Sequence, residues 1–529
     1  MSNTKKSRLT IYLLKPESES EKLFLTKKIN EENIIRRPDG IIIYKLPGRE
    51  YAPVWQQTFF AGENLDLKQK IAGAIVLVPI KPKLGPERKM LLAFGSAGWS
   101  IRQGVCEEQF GVRTAINLGD TNKIRSISGK TISSEPKTAT EQLANLKDLR
   151  FFGIDITKDM MKKITLHSED ERYGKTIVGG RGLSVSMTSD LSKIKADLED
   201  IFEAYQRDAY IKKGYDWIDN VVPIKDKNII AGLDNILITR INEERSFVGA
   251  GVSVFAPEII NWDGFDGFSA SGSRRRKTHD EIMFEDFVRS NSDTISVDEL
   301  RSREVYLWSQ DHDKPVARWR LYNCLSAELS TDDKQYVLSD GGWYEISQNY
   351  SREIDAWYKN LKIRKSSLPK YTKTINKKGD LAHSEKDYNQ SCQRLGLDVL
   401  DRDLTRFGGG LEICDLYRDL EFIHVKIYNG SSAPISHLFA QATASAELFL
   451  TEKQYRKEFN EKITHKLSEE ELICPDRRKY KIVLAIITKQ KQLALPFFSK
   501  INLRSTIKKL EAMGFSAENI IIEKIDGEW

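Results

Sequence analysis

The chain has 529 residues, enough for two to four domains at the usual size of about 150 residues per domain. Its composition, 40% hydrophobic and 30% charged, is that of a globular protein and excludes a wholly disordered chain. Lys and Arg total 82 against 76 for Asp and Glu. The resulting net charge of +6 neither demands nor excludes a polyanionic partner, so electrostatic arguments must be local.

The cysteine pattern, the start of the chain and the hydropathy exclude further classes. None of the five cysteines forms a CxxC pair, which excludes a disulfide framework and a thiolate zinc ribbon. The start of the chain lacks the pattern of a signal peptide. The longest near-apolar run, residues 71–80, is about half the length that a bilayer-spanning helix needs. We therefore expect a soluble, cytoplasmic protein with no membrane partner.

In chain order, the first 358 residues predict two regions. Residues 1–180 are strand-rich, with predicted strands at 9–14, 40–46, 74–80 and 90–95, and similar segments at 110–118 and 123–127. Helical periodicity begins near residue 188, where apolar side chains between 191 and 211 form one stripe. Strands and helices then alternate to residue 358. The sequence predicts a strand-rich N-terminal domain, 1–180, and a mixed α/β middle domain, 181–358.

Residues 359–379 form a basic segment that contains no acid. Its eight cations are Lys359, Lys362, Arg364, Lys365, Lys370, Lys373, Lys377 and Lys378. Because such a run repels itself, it is predicted to be a linker, or an arm that lies along a phosphate backbone and gains from counterion release. An inert linker is the alternative. The seven cations from Lys362 onward are the candidate nucleic-acid-binding residues.

Residues 380–529 predict a mixed α/β domain with a regular element order. A helix begins after Ser384 in an approximate capping box. Predicted strands follow at 397–407, 411–417 and 421–428, then a helix from Pro434, a strand at 481–489, a helix at 502–513 and a strand at 519–525. The whole chain is therefore expected to be a multi-domain α/β (α+β) protein that ends in an αβββαβ domain.

Strand parity brings candidate site residues together in this last domain. In the predicted strand 421–428, His424 and Lys426 share one face, and both need an anionic partner. Asp415 on the neighbouring strand is the nearest candidate, and Glu385 can approach from the first helix. The helix from Pro434 adds His437 and Gln441, which lie one turn apart.

This group suits metal-assisted phosphodiester hydrolysis. Acidic oxygens hold a hard cation that polarises phosphate and lowers the pKa of a bound water, and a nearby lysine stabilises the developing charge. A purely structural alternative stays open. In it Asp415 and Lys426 form a half-buried ion pair, and Glu385 only interacts with the dipole of its own helix.

The element order, with Asp415, His424-Val425-Lys426 and Gln441 at these places, resembles the PD-(D/E)xK nuclease superfamily and implies a restriction-endonuclease-like fold. The resemblance implies that Asp415 binds Mg²⁺ or Mn²⁺ with Glu385 or Glu412, that Lys426 steers the attacking water and that Gln441 positions a phosphate or a base. His424 stands where the superfamily has a second acid. It is expected to be a ligand or a proton carrier, or to mark a site that binds without cutting.

A second resemblance covers most of the chain. The segments FGVRTAINL, LSDGGWYEI, LEICDLY, FIHVK, SHLFAQ and LPFFSK resemble a sporadically distributed bacterial family of unknown function associated with mobile elements and anti-phage roles. Together the resemblances imply an antiviral defence protein that targets nucleic acid, with DNA favoured over RNA, and that has a nuclease-like C-terminal domain. A phage protein or another defence component is a further possible partner. The alternatives are a non-catalytic DNA- or RNA-binding protein and a phage-protein sensor or scaffold.

Overall fold

The computed structural model describes most of the chain. It covers residues 6–528 apart from 27, 49, 53–55, 57–59, 61–62, 64, 71, 84, 103, 132–136, 157–158, 189, 248, 258–259, 261–264, 271–277, 288–293, 310–314, 332–333, 373, 376–380, 383, 401–411 and 429–431. Lys373, Lys377 and Lys378 lie outside the described residues, as do positions 401–407 of the predicted strand 397–407. The described part is a mixed α+β protein with several separate sheets.

The N-terminal region is built on a ten-stranded antiparallel sheet. Its strands, in spatial order, are Ile34–Arg36, Ile42–Leu46, Gly73–Ile80, Arg88–Gly95, Ser7–Leu13, Leu183–Met187, Thr176–Gly179, Asp159–Ser168, Gly119–Thr131 and Thr138–Lys147. The helices Phe110–Leu118 and Ile194–Gln206 pack on it and share its main apolar core. Short helices at Glu21–Phe24 and Ala209–Lys212 and a small hairpin, Glu50–Tyr51 with Gln69–Lys70, complete the described part.

The prediction of a strand at FGVRTAINL is wrong. Residues Phe110–Leu118 form an α-helix, and eight of its nine residues are buried. A short apolar run with β-branched residues has the same appearance as a buried strand, so periodicity alone does not separate the two. A Cβ added at Gly111 would lie 2.1 Å from the carbonyl oxygen of Gly182. The glycine therefore lets this helix approach the sheet closely.

The middle region contains two smaller antiparallel sheets. Five strands lie in the spatial order Val221–Pro223, Gly342–Ile346, Lys334–Ser339, Leu325–Thr331 and Val252–Val254, and three in the order Phe265–Ala270, Glu304–Ser309 and Ala317–Arg320. The helices are Lys227–Glu244 and Val297–Ser302. Buried Asp234 accepts hydrogen bonds from Tyr322 Oη at 2.6 Å and Trp343 Nε1 at 2.8 Å. Trp343 is therefore part of the core of this region.

The C-terminal region carries the candidate site and contains six helices and seven strands among the described residues of its main sheet and its cover. Its helices are α1 (Gln348–Lys359), α2 (Glu385–Cys392), α3 (Ser432–Thr451), α4 (Lys453–Lys462), α5 (Glu469–Ile473) and α6 (Phe497–Ala512). Its strands are β1 (Ile363–Lys365), β2 (Tyr371–Thr372), β3 (Asp398–Val399), β4 (Leu416–Arg418), β5 (Glu421–Ile427), β6 (Lys481–Thr488) and β7 (Ile520–Glu528). A two-stranded hairpin, Thr374–Ile375 with Leu381–Ala382, lies between β2 and α2.

These seven strands form one sheet in the order β1-β7-β6-β5-β4-β3, with β2 also paired to β7. Strands β5, β6, β7 and β1 are parallel, whereas β3, β4 and β5 pair antiparallel. Helices α3 and α6 cover one face of the sheet and share an apolar core with its residues Phe422, Leu484 and Ile522. On the other face, Tyr388 and Cys392 of α2 pack against Ile423 and Val425. The sheet is thus covered on both faces.

The basic segment differs from the predicted linker over its described part. Lys359 ends α1, and Ile363–Lys365 is strand β1 at the edge of the sheet. Arg364 donates from Nε to Glu523 at 2.7 Å and from both terminal nitrogens to Glu421 at 3.1 and 3.0 Å. The acids that neutralise this run lie more than fifty residues away in the sequence. Local composition therefore shows the repulsion between the cations but not the distant acids that neutralise them.

Within the residues that the structure describes, no helix combines the length and the apolar character needed to cross a bilayer.

The aromatic core of the C-terminal sheet gives a stability prediction. Phe422 is 2% exposed, and four ring centroids lie 4.8–5.8 Å from its own, those of Tyr417, Phe449, Phe459 and Tyr480. Phe422→Ala should lower the free energy of unfolding by about 3–5 kcal/mol because it removes buried area and leaves a cavity. Urea denaturation followed by circular dichroism measures this.

The control is Phe151→Ala, at a side chain that is 56% exposed, which should change the unfolding free energy by less than about 0.5 kcal/mol. Equal effects of the two substitutions would show that Phe422 is not in the core.

Candidate functional site

A cavity of about 420 Å³ lies where strands β4 and β5 separate. The two strands pair from Arg418↔Glu421 to Leu416↔Ile423, and β5 then continues alone along this edge. The cavity is lined by residues from α2, α3, β5 and the segment before β4: Ser384, Glu385, Lys386, Glu412, Asp415, Val425, Lys426, Ile427, His437 and Gln441. A break in strand pairing has therefore created a polar opening beside a packed sheet.

Two carboxylates take the place of the missing strand partner. Asp415 Oδ2 accepts a hydrogen bond from the backbone N–H of Val425 at 2.7 Å, and Glu385 Oε1 accepts one from that of Ile427 at 3.0 Å. Alternate residues of a strand present their N–H groups to the same edge, so these are consecutive donors on one side of β5. Asp415 is only 6% exposed and lies just before β4, although the sequence placed it within a strand.

Helix α2 holds both carboxylates in place. Ser384 caps it, since its side chain accepts from the N–H of Asp387, as the sequence predicts. Glu385 Oε2 accepts a hydrogen bond from Lys426 Nζ at 2.8 Å. The side chain of Glu385 is 30% exposed and that of Lys426 is 25% exposed. One turn later, fully buried Asn389 donates from Nδ2 to Asp415 Oδ1 at 3.4 Å. The sequence analysis missed Asn389, although its i, i+4 spacing from Glu385 was visible.

Helix α3 supplies the opposite wall of the cavity. Gln441 donates from Nε2 to Glu412 Oε2 at 2.7 Å, which ties the helix to the segment before β4. His437, one turn earlier, is exposed and also lines the cavity. The adjacency of these two residues agrees with their predicted positions on one helix face.

His424 is not brought to the cavity. It is fully buried, and neither ring nitrogen has a hydrogen-bond partner among the described residues. It lies opposite Leu484 of β6 and shares its sheet face with Phe422 and Tyr428, both in the apolar core under α3. Lys426 lies two residues nearer the end of β5, where its side chain reaches the cavity. The placement of His424 therefore does not support a role as a ligand or a proton carrier.

The predicted site residues thus divide into those that line the cavity and those that do not, which are His424 and the described cations of the basic segment. The cavity brings together Glu385, Glu412, Asp415, Lys426 and Gln441. Both the strand-parity argument and the structural alternative predict Asp415 as the partner of Lys426, whereas the structure pairs Lys426 with Glu385. Of the basic segment, Lys362 and Lys365 are exposed, and Arg364 and Lys370 form ion pairs with Glu523 and Glu528 respectively.

The carboxylates of the cavity are the residues that could hold a cation. No group of three or more His, Cys, Asp or Glu side chains within the described residues is spaced to hold a metal ion. Mg²⁺ at phosphate-handling sites is commonly held by only one or two carboxylates, with water and substrate phosphates as further ligands. Three carboxylates, those of Glu385, Glu412 and Asp415, line the cavity. A cation bound here would therefore have one or two of these carboxylates as ligands, and water or substrate would supply the others.

The burial of His424 gives a pH prediction. Desolvation lowers the pKa of His424 to about 3, whereas a histidine in the unfolded chain has a pKa of about 6.5. Between these values the unfolded chain binds a proton that the folded chain does not, so the free energy of unfolding falls as the pH drops. From pH 7 to pH 5 the wild type should lose about 2 kcal/mol more than His424→Leu in urea denaturation.

The matched variant is His465→Leu, at an exposed histidine, which should keep the pH dependence of the wild type. Parallel pH curves for the wild type and His424→Leu would contradict the buried, neutral imidazole.

Comparison with curated proteins and with solved structures found no match to the chain. One family model matches residues 9–523, and its description is "Family of unknown function (DUF6119)". This agrees with the expectation that most of the chain resembles a family of unknown function. Because the match covers nearly the whole sequence, the chain belongs to the DUF6119 family of unknown function.

Proposed function

We propose that this protein targets nucleic acid in antiviral defence and that its cavity is a site of metal-dependent phosphodiester hydrolysis. The observation that carries the catalytic part is the convergence of Glu385, Glu412, Asp415, Lys426 and Gln441 on one cavity. These side chains come from two helices, a strand and a connecting segment. The defence role is supported by the family resemblance of the sequence.

The charge of the cavity makes the metal a requirement of this proposal. Three carboxylates line the cavity beside two lysines, Lys386 and Lys426, and carboxylates repel the phosphate of a diester. A divalent cation removes this repulsion. Asp415 would hold Mg²⁺ or Mn²⁺ with Glu412 or Glu385, and the bound ion would polarise the phosphate and lower the pKa of a water.

The other side chains then have separate tasks. Lys426 is held at the cavity by Glu385, and its ammonium group orients the attacking water and stabilises charge on the phosphate. Gln441 donates to Glu412, and in this proposal its amide contacts a phosphate oxygen or a base. Asp415 keeps its orientation through the Val425 N–H.

Binding without hydrolysis is the second candidate function. It is favoured by His424, a buried histidine at the position where the nuclease superfamily has a second acid. It is also favoured by the hydrogen bonds that Asp415 and Glu385 already accept from strand N–H groups. In this case exposed Lys362 and Lys365 would contact phosphates, and the cavity would need no metal.

A cleavage assay tests the first candidate. Full-length protein is incubated with supercoiled plasmid, single-stranded DNA and single-stranded RNA in Mn²⁺, Mg²⁺ or EDTA. We expect cleavage that requires the metal and that falls by roughly 100-fold or more in Lys426→Gln, because one transition-state contact is lost. Asp415→Asn should cause a loss of at least the same order.

Each variant has a control in the same sheet. Lys481→Gln removes a lysine that does not line the cavity and whose Nζ lies 3.2 Å from Glu421 Oε1. Asp398→Asn changes an acid that accepts a hydrogen bond from the Thr464 N–H at 3.0 Å. Both controls should retain activity. Absence of cleavage by the wild type, or full activity in Lys426→Gln, would rule out hydrolysis at this site.

The salt dependence of binding tests the role of the basic segment. Replacement of both Lys362 and Lys365 by Ala should reduce the slope of log affinity against log salt by about 2, because each phosphate contact contributes close to one unit. Fluorescence anisotropy with a labelled duplex measures this. Lys370→Ala, whose ammonium group already pairs with Glu528, should change the slope less. An unchanged slope in the double variant would remove these lysines from the interface.

A further inference from the structure

The hairpin formed by strands Lys334–Ser339 and Gly342–Ile346, here called the central hairpin, contains the LSDGGWYEI segment that the proposed function does not use. Its turn residues Asp340 and Gly341 have φ values of 51° and 75°, as a tight two-residue hairpin turn requires. A Cβ at Gly341 would lie 2.1 Å from Asn323 Oδ1. The turn is therefore closely packed and sterically restricted to glycine at this position.

One end of the central hairpin is bound to the N-terminal sheet. The Asp340 carboxylate accepts from Lys130 Nζ, and from Lys162 Nζ at 2.7 Å. These lysines belong to the paired strands Gly119–Thr131 and Asp159–Ser168. Lys130 is only 3% exposed, and its Nζ lies 3.9 Å from the ring centroid of Phe255. One carboxylate thus joins the hairpin to two neighbouring strands of another sheet.

The body of the central hairpin packs on helix α6. Val337, Tyr344 and Ile346 share an apolar cluster with Phe497, Phe498 and Ile501 of the first turns of α6. Phe497 and Phe498 belong to the LPFFSK segment. On the strand next to the hairpin, Glu328 Oε1 accepts from the N–H of Phe498 at 3.2 Å. Movement of the hairpin therefore requires either movement of α6 or loss of buried apolar contact.

Helix α6 in turn contacts the helix that forms a wall of the cavity. Asn502 donates from Nδ2 to Ser436 Oγ at 3.0 Å, and Leu503 lies in the same apolar core as Leu438 of α3. The residue after Ser436 is His437, which lines the cavity. Buried and partly buried contacts thus connect Asp340 to the wall of the cavity.

We propose that the central hairpin is a regulatory element that couples the N-terminal region to the cavity. A ligand or partner that displaces the lysine-bearing strands would release Asp340, shift α6 and so move His437 and Gln441 on α3. A packed chain of helices and a hairpin transmits such a shift because its contacts move as units. The regulatory meaning of this coupling depends on the proposed function of the cavity, but the coupling itself is measurable without activity.

Hydrogen exchange of the full-length protein, followed by mass spectrometry, tests the coupling in Asp340→Asn. We expect peptides from both α6 and the first turns of α3 to exchange roughly threefold faster or more, because local opening becomes less costly. Glu345→Gln is the matched control. It removes an acid on the same hairpin that pairs with Lys334 at 3.0 Å, and it should leave α3 unchanged.

Lys162→Gln is the milder second variant, because it leaves the Lys130 contact of Asp340 in place. It should produce the same pattern with a smaller increase, and it keeps the test valid if Asp340→Asn does not fold. Faster exchange confined to the hairpin and the lysine-bearing strands would overturn the coupling. Faster exchange in α3 together with a wild type that cleaves nothing would support the coupling and reject the proposed hydrolysis.

Discussion

The candidate site depends on the unpaired edge of strand β5. After β4 separates from it, β5 still presents the N–H groups of Val425 and Ile427 along one edge. Buried backbone donors must find acceptors, and an unsatisfied donor costs about 1–3 kcal/mol. Asp415 and Glu385 supply these acceptors. The same bonds that complete the sheet therefore place two carboxylates side by side at an open cavity.

The acids of the cavity also connect elements that lie apart in the sequence. Glu385 binds both a strand N–H and the ammonium group of Lys426, so a single helix residue orients the cavity lysine. On the other wall, the hydrogen bond between Gln441 and Glu412 fixes helix α3 against the segment before β4. The cavity is thus assembled by hydrogen bonds between elements that are distant in sequence. A change in the position of α3 alters it directly, which is why the contacts of α6 and the central hairpin matter.

The sequence predicted well those features that depend on local pattern. Strand β5, helix α3 and the Ser384 cap follow from alternation, helical periodicity and a capping residue, and all three are present. The strand predicted at FGVRTAINL is a helix because its environment in the core, rather than its β-branched content, decides its conformation. Arg364 is held in an edge strand by acids from β5 and β7, which local composition does not reveal.

The same distinction explains the site. Parity puts Lys426 and His424 on one face, but only Lys426 lines the cavity, since parity specifies a face and not the depth beneath a covering helix. We propose that the cavity holds a divalent cation for phosphodiester hydrolysis. A crystal structure with Mn²⁺ and a non-cleavable phosphorothioate oligonucleotide, read from the anomalous scattering of manganese, tests this. We expect one manganese peak bound by Asp415 and by Glu412 or Glu385, with a phosphate beside Lys426. An empty cavity with Lys426 still bound to Glu385, and the oligonucleotide bound elsewhere, would contradict it.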